Sequence, residues 1–132
     1  MLRELGVMLL LAAAGPGSCD KGSSASDGAA GETSKPSPVT ECQTYASTWC
    51  NKAFGCYVEV GRIDADTAQT KTDECVQQIE DTLPCANVTD VSDDYDKCIA
   101  QINGMACSRW NVPQTQFGTV APPASCNGAF VF

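Results

Sequence analysis

Cysteine content constrains this chain more than any other feature. Nine cysteines occur in 132 residues, and in a short chain this density indicates either a disulfide framework or a metal–thiolate site. Zinc and iron–sulfur sites normally use close pairs such as C-x-x-C, and zinc sites often add histidine. The shortest spacing in the body of the chain is Cys50 to Cys56, and the chain has no histidine. We therefore predict disulfides, no metal site and no cofactor.

The N-terminus has the layout of an export signal. Arg3 is followed by a run of eight apolar residues, 7–14, and then by the small residues of 15–18. A weakly charged start, a hydrophobic run and a small-residue cleavage region are the parts of a signal peptide. The run is too short for a membrane-spanning helix, which needs about 20 apolar residues. We predict that residues 1–18 are a signal peptide and that the protein is exported.

Cys19 directly follows this segment. Gly17-Ser18-Cys19 resembles the lipobox of bacterial lipoproteins, in which the cysteine becomes the lipidated first residue. The alternative is cleavage by an ordinary signal peptidase near Ala14, which leaves Cys19 as an odd thiol. If Cys19 carries lipid, an even set of eight cysteines remains for four disulfides. We predict lipidation at Cys19 and disulfides among Cys42, Cys50, Cys56, Cys75, Cys85, Cys98, Cys107 and Cys126.

The segment after Cys19 has the composition of a flexible spacer. Residues 20–38 are small, polar or charged, with several prolines and glycines and no large apolar side chain. Such a segment cannot bury enough apolar surface to order itself. We predict a signal peptide of the lipoprotein type at 1–18, a disordered tether at 19–40 and a cysteine-rich helical domain at 41–132.

Three segments of this domain have helical periodicity. The first is predicted over 41–54, with Thr40 as its cap and Gly55 as its stop. The second is predicted over 66–84 and the third over 92–104, with Asp66 and Ser92 as their caps. From 111 onward the chain is rich in proline and lacks periodicity, so we expect an irregular tail held by Cys126. The predicted fold class is small, all-α and disulfide-rich, with about three short helices.

Helix geometry favours some disulfide pairings over others. Cys42 and Cys50 lie about 12 Å apart along the first helix at 1.5 Å per residue, and Cys75 and Cys85 span a similar length of the second. If these helices are antiparallel, Cys42 pairs with Cys85 and Cys50 with Cys75. A competing hairpin of the second and third helices pairs Cys85 with Cys98 and Cys75 with Cys107.

The aromatic residues of the first helix allow two interpretations. Tyr45, Trp49 and Phe54 form either an exposed binding face, since tyrosine and tryptophan dominate interface hot spots, or the core side of the helix. Burial in the core is the more common fate of such a stripe.

Charge and composition exclude several functions. The formal net charge of −8 opposes binding to nucleic acid, which needs a basic surface. The absence of histidine removes the base of a Ser-His-Asp triad. The acidic run of 90–96 lacks the D-x-[DN]-x-[DN]-G spacing of a calcium loop. We predict that the protein is not an enzyme.

Carboxylate pairs are the one catalytic alternative that needs no histidine. The nominal candidates for such a hydrolase are Asp64 with Asp66 and Asp93 with Asp94. An acidic surface supplies such pairs by chance, so they do not change the prediction.

The overall layout resembles the small cysteine-rich lipoproteins encoded by myxobacteria and related bacteria. The resemblance covers the whole chain and depends on the Ser18-Cys19 start, the tether and the pattern C-x7-C-x5-C-x18-C-x9-C-x12-C-x8-C-x18-C. Segments 45–50 and 96–99 (DKCI) add to it. The resemblance implies an envelope location and a helical, disulfide-bonded domain, and it carries no activity.

These observations lead to one functional prediction and one main alternative. We predict a cell-envelope protein that is anchored to the membrane by an N-terminal lipid, lies in the periplasm or on the cell surface, and binds a protein or another envelope component. The alternative is a freely secreted, extracellular cysteine-rich effector, such as a protease inhibitor or a toxin-like protein.

Overall fold

The computed structural model describes residues 34–132. The predicted signal peptide, Cys19 and most of the tether lie outside these residues. The described chain forms the helices α1 (Pro38–Glu59), α2 (Ala65–Thr82) and α3 (Tyr95–Gly104), and the two short strands β1 (Asp90–Val91) and β2 (Phe130–Val131). The prediction of a small, disulfide-rich, all-α fold is confirmed.

Helix α1 is longer than predicted at both ends. The Ser37 side chain accepts a hydrogen bond from the Thr40 amide at 3.2 Å, and Pro38 occupies the first turn, where an amide hydrogen is not needed. The predicted cap at Thr40 is therefore wrong, and residues 38–40, assigned to the tether, are helical. Gly55 lies inside the helix, and the chain turns instead at Gly61, whose φ is +74°.

The other two helix starts are also shifted from the predictions. Asp64, not Asp66, caps α2, since its carboxylate accepts a 2.7 Å hydrogen bond from the Thr67 amide. This bond lowers the pKa of Asp64 because it favours the charged form. Ser92 lies one turn before α3, where its carbonyl accepts from the Tyr95 amide. Helix α3 accordingly begins at Tyr95.

The buried face of α1 consists mainly of small residues. Cys42, Ala46, Cys50, Ala53 and Tyr57 follow one another at spacings of three or four residues, and all are buried. This spacing places them on one side of a helix. Small side chains allow the neighbouring segments to approach α1 closely, so a short chain encloses its core around this helix.

Four disulfides connect α1 to the rest of the described chain and α3 to the tail. They join Cys42 to Cys85, Cys50 to Cys75, Cys56 to Cys107 and Cys98 to Cys126. The first two are the pairs predicted for an antiparallel hairpin of α1 and α2. The competing pairing through Cys98 and Cys107 is wrong, because Cys107 reaches α1 and Cys98 reaches the tail.

Helix α3 lies beside α1 and runs in the same direction. The Tyr95 hydroxyl donates to the Glu41 carbonyl at 2.8 Å near the start of both helices. Lys52 donates from its Nζ to the Asn103 carbonyl at 3.0 Å near the end of α3. One bond lies near the start of α3 and the other near its end, so together they hold α3 alongside α1.

The tail is irregular, as predicted, apart from its last residues. From Cys107 onward the chain forms short 3₁₀ turns at Cys107–Trp110, Gln114–Gln116 and Ala124–Cys126, and we call this whole stretch, 107–132, the tail. At its end β2 pairs antiparallel with β1, with Val91 opposite Phe130. Two-residue strands are too short to show an alternating pattern, so the sequence does not predict this pairing.

Removing one hairpin disulfide tests how much these bonds contribute. We expect the double variant Cys50→Ala/Cys75→Ala to lower the free energy of unfolding by about 3 kcal/mol, because the bond restricts the unfolded chain. Urea unfolding of the oxidised protein measures this change. The control Thr70→Ala, at an exposed position of α2, should stay within about 0.5 kcal/mol. A loss below about 1 kcal/mol in the double variant would contradict the expectation.

Tyr95 should show the burial of its hydroxyl in an alkaline titration. Burial raises its pKa to about 12, and the charges of Glu41 and Asp96 add to the effect. Because the pKa of Tyr95 is higher in the folded than in the unfolded state, the neutral side chain stabilises the fold. This contribution is complete below pH of about 10 and is lost as the pH rises through the folded-state pKa. Tyrosinate absorbance of the native protein should therefore include a late phase that Tyr95→Phe removes. Ionisation of every tyrosine near pH of about 10 in the native state would refute this assignment.

Candidate functional site

A groove lies between α1, α2 and the first part of the tail. Its inner cavity has a volume of about 200 Å³, and its more open outer cavity has a volume of about 400 Å³. The two share the lining residues Phe54, Cys75, Gln78 and Phe117, so they form one continuous depression. We call it the aromatic groove, because its inner cavity is lined by the aromatic side chains Trp49, Phe54, Tyr57, Trp110 and Phe117.

These aromatic side chains pack against one another as well as lining the groove. Tyr57 and Phe117 are stacked, with ring centroids 3.6 Å apart, and Trp49 lies 5.9 Å from Trp110. Trp110 and Tyr57 are 1% and 2% exposed, whereas Trp49 and Phe117 are half-buried. The floor of the groove is therefore part of the hydrophobic core, and its rim is open to ligands.

The tail is held against α1 by a disulfide and by hydrogen bonds. The Cys56–Cys107 bond fixes the start of the tail, three residues before Trp110. The Arg62 guanidinium donates to Asn111 Oδ1 at 3.0 and 2.8 Å, and Gln114 Nε2 donates to the Arg62 carbonyl at 2.9 Å. These contacts join the tail to the turn after α1 and keep Phe117 over Tyr57.

The backbone turn at Gly118 completes this wall of the groove. Its φ is +94°, a conformation that side chains with a Cβ rarely adopt. The turn lets Phe117 and Val120 both face the inner cavity. Burial raises the pKa of Tyr57, while a hydrogen bond from the Gly118 backbone partly opposes this rise.

The two parts of the groove differ in polarity. Among the described residues 34–132, no acidic or basic side chain lines the inner cavity. The outer cavity has the ion pair of Lys71 with Glu74, at 2.6 Å, and both side chains are well exposed. The amides of Gln78 and Gln114 and the hydroxyl of Thr67 also line the outer cavity. The groove thus has an uncharged apolar end and a hydrated polar end.

Helix α2 also has a strip of acidic residues next to the groove. Glu74 and Asp81 are seven residues apart and so lie on one line of the helix surface. Asp66, Asp73 and Glu80 lie on another line, about 100° further around the helix and away from the residues that line the groove. Glu74 lines the outer cavity as well. We call Glu74 and Asp81 the acidic strip. Lys71 is the one basic residue of α2.

The nominal catalytic carboxylates lie outside the aromatic groove. Asp64 caps α2, and Asp66 is exposed on its first turn. Asp93 and Asp94 are exposed before α3, and neither pair lines the aromatic groove. Within residues 34–132, no three His, Cys, Asp or Glu side chains are grouped so as to hold a metal ion.

The predicted aromatic stripe of α1 divides between two places. Trp49 and Phe54 pack against the core and also line the groove, so each interpretation is partly right for them. Tyr45 does not line the groove. Its ring centroid lies 5.5 Å from that of Phe130.

Sequence reasoning missed Trp110 and Phe117, which complete the groove. The available signal was the presence of two large aromatic residues in the stretch 107–126, which is otherwise rich in polar residues and proline. Such residues must pack somewhere, but the tail has no periodicity from which to predict where.

Comparisons with known proteins add no assignment. No protein-family model, curated protein or solved structure matches the chain. Among residues 34–132, no helix has both the length and the hydropathy needed to cross a bilayer.

Removing the Phe117 ring should open the groove. We expect Phe117→Ala to lower the free energy of unfolding by about 2 kcal/mol, since a half-buried ring and its stacking on Tyr57 are lost. Tryptophan fluorescence should become more sensitive to acrylamide, because the only tryptophans of the chain, Trp49 and Trp110, line the cavity. Phe132→Ala, at an exposed ring, is the control and should change neither property. Unchanged quenching in Phe117→Ala would show that this ring does not cover the tryptophans.

Proposed function

We propose that this protein is a lipid-anchored module of the cell envelope that binds a partner in the aromatic groove and has no catalytic activity. The coarser part of this proposal is well supported: a small protein with four disulfides fits an oxidising location outside the cytoplasm. The lipid anchor at Cys19, the signal peptide of 1–18 and the envelope location are proposed from the sequence and its resemblance to bacterial lipoproteins.

The aromatic groove is the observation that carries the binding role. It combines half-buried aromatic side chains with an uncharged inner cavity, and disulfides fix two of the segments that form it. A rigid concave apolar surface with a few polar groups at its edge is the usual form of a binding site. Rigidity favours binding because little conformational entropy is lost when the partner docks.

The polar groups near the groove favour binding over catalysis. Its inner cavity offers an indole, a phenol and an amide but no carboxylate or thiolate. The carboxylate-dependent hydrolase, the catalytic alternative, needs two acidic groups flanking one bond. A hydrolase activity that disappears in Asp64→Asn/Asp66→Asn or in Asp93→Asn/Asp94→Asn would overturn the non-enzymatic role.

The anchor is tested by the intact mass of the mature protein. The full chain, expressed with its own leader in a bacterial host, is recovered from membrane and soluble fractions and alkylated before and after reduction. We expect a membrane-bound species that begins at acylated Cys19 and gains eight alkyl groups only after reduction, matching the remaining cysteines. The control Cys19→Ala should leave the membrane fraction.

The opposite result favours the second candidate function. A soluble species that begins near Gly15, with Cys19 as an alkylatable thiol before reduction, would indicate a freely secreted effector. The same measurement therefore decides between the two, and it does not depend on any binding partner.

A further inference from the structure

We infer that the partner of the aromatic groove is a basic segment of polypeptide that inserts one large apolar side chain into the inner cavity. This inference rests on the proposed binding function and specifies its ligand. Three features of the groove support it: the size and polarity of the inner cavity, the charge of its surroundings and the polar groups of its open end.

The inner cavity suits a single apolar anchor. Its volume of about 200 Å³ exceeds that of an engineered apolar cavity of about 150 Å³ that binds benzene. The aromatic walls and the absence of charged lining residues disfavour an ionised group. One ring or one branched aliphatic side chain is therefore the size and type of group that this cavity accepts. Such buried anchors supply most of the energy of peptide and protein interfaces.

Charge complementarity selects a basic partner. The acidic strip borders the groove along α2, and Lys71, the one basic side chain of this helix, is already paired with Glu74. The chain as a whole has a net charge of −8, which attracts cationic ligands and repels anionic ones. Positive side chains on either side of the anchor would face the acidic strip while the anchor fills the cavity.

The open end of the groove offers groups suited to a peptide backbone. Gln78 lines both cavities, and its side-chain amide makes no hydrogen bond to another residue of 34–132. An amide both donates and accepts, so it matches the two polar groups of a peptide unit. Gln114 adds an acceptor oxygen at the same end, since its Nε2 already binds the Arg62 carbonyl.

Tryptophan fluorescence provides a direct test of this inference. The mature protein is titrated with a short, blocked peptide that has one central phenylalanine between lysines. Both tryptophans of the chain line the inner cavity, so insertion of the anchor should change their emission in a saturable way. We expect the peptide with alanine at its centre to bind about tenfold more weakly or worse. The peptide with glutamates in place of the lysines should not bind, and added salt should weaken the lysine peptide several-fold.

Variants with matched controls assign the effect to the groove. Gln78→Phe places a ring in the groove at an exposed position and should reduce affinity about tenfold while preserving stability. Gln77→Phe, at the exposed neighbouring residue that lines neither cavity, should bind like the native protein. Glu74→Gln/Asp81→Asn should weaken binding several-fold. Asp93→Asn/Asp94→Asn changes the net charge equally, away from the groove, and should have less effect.

Several results would overturn the inference. Equal binding of the alanine peptide would eliminate the anchor, and equal binding of the glutamate peptide would eliminate selection by charge. Binding of free indole without binding of the lysine peptide would indicate a small-molecule cavity. Concentration-dependent self-association that Gln78→Phe abolishes would identify a second copy of the chain as the occupant. None of these outcomes alters the mass of the mature protein, so failure of this inference is distinguishable from failure of the lipid anchor.

Discussion

The attachment of three separate segments to a single helix is the constraint on which this structure depends. Cys42, Cys50 and Cys56 of α1 are each bonded to a different part of the chain, and all are almost completely buried. The described domain has few large aliphatic side chains, and small domains bury too little apolar surface for a wide margin of stability. Cross-links compensate because they limit the entropy of the unfolded chain. Helix α1 consequently serves as the common support for α2, the tail and, through its parallel contact, α3.

The aromatic groove is a consequence of the same arrangement. The Cys50–Cys75 bond attaches α2 to α1, and the Cys56–Cys107 bond attaches the tail to the same helix. Phe117 then closes the gap by stacking on Tyr57. Because both walls are covalently attached to one helix, the width of the groove is set by the cross-links as well as by side-chain packing. A surface of this kind retains its shape without a ligand, which suits a binding role.

The sequence predicts the parts of this structure that have a local or periodic signal. The helical class, the three helices and the antiparallel α1–α2 pairing follow from apolar spacing and from helical rise along a cysteine pair. The ends of α1 differ from the predicted ones because Ser37, followed by Pro38, caps the helix in place of Thr40, and because the helix continues through Gly55. The sequence indicates one wall of the aromatic groove only through the less favoured interpretation of Trp49 and Phe54, as an exposed binding face. Its other wall comes from an irregular tail whose position is set by disulfides and side-chain hydrogen bonds, which leave no periodic trace.

The tail segment between Cys107 and Cys126 is bonded at each end to a different helix, α1 or α3. Its ends are therefore fixed whatever residues occupy its middle. Substitutions there can reshape one wall of the aromatic groove while the helices and their cross-links remain as they are. The fold separates the residues that maintain it from those that shape this wall, so the wall can change by exchange of one short loop.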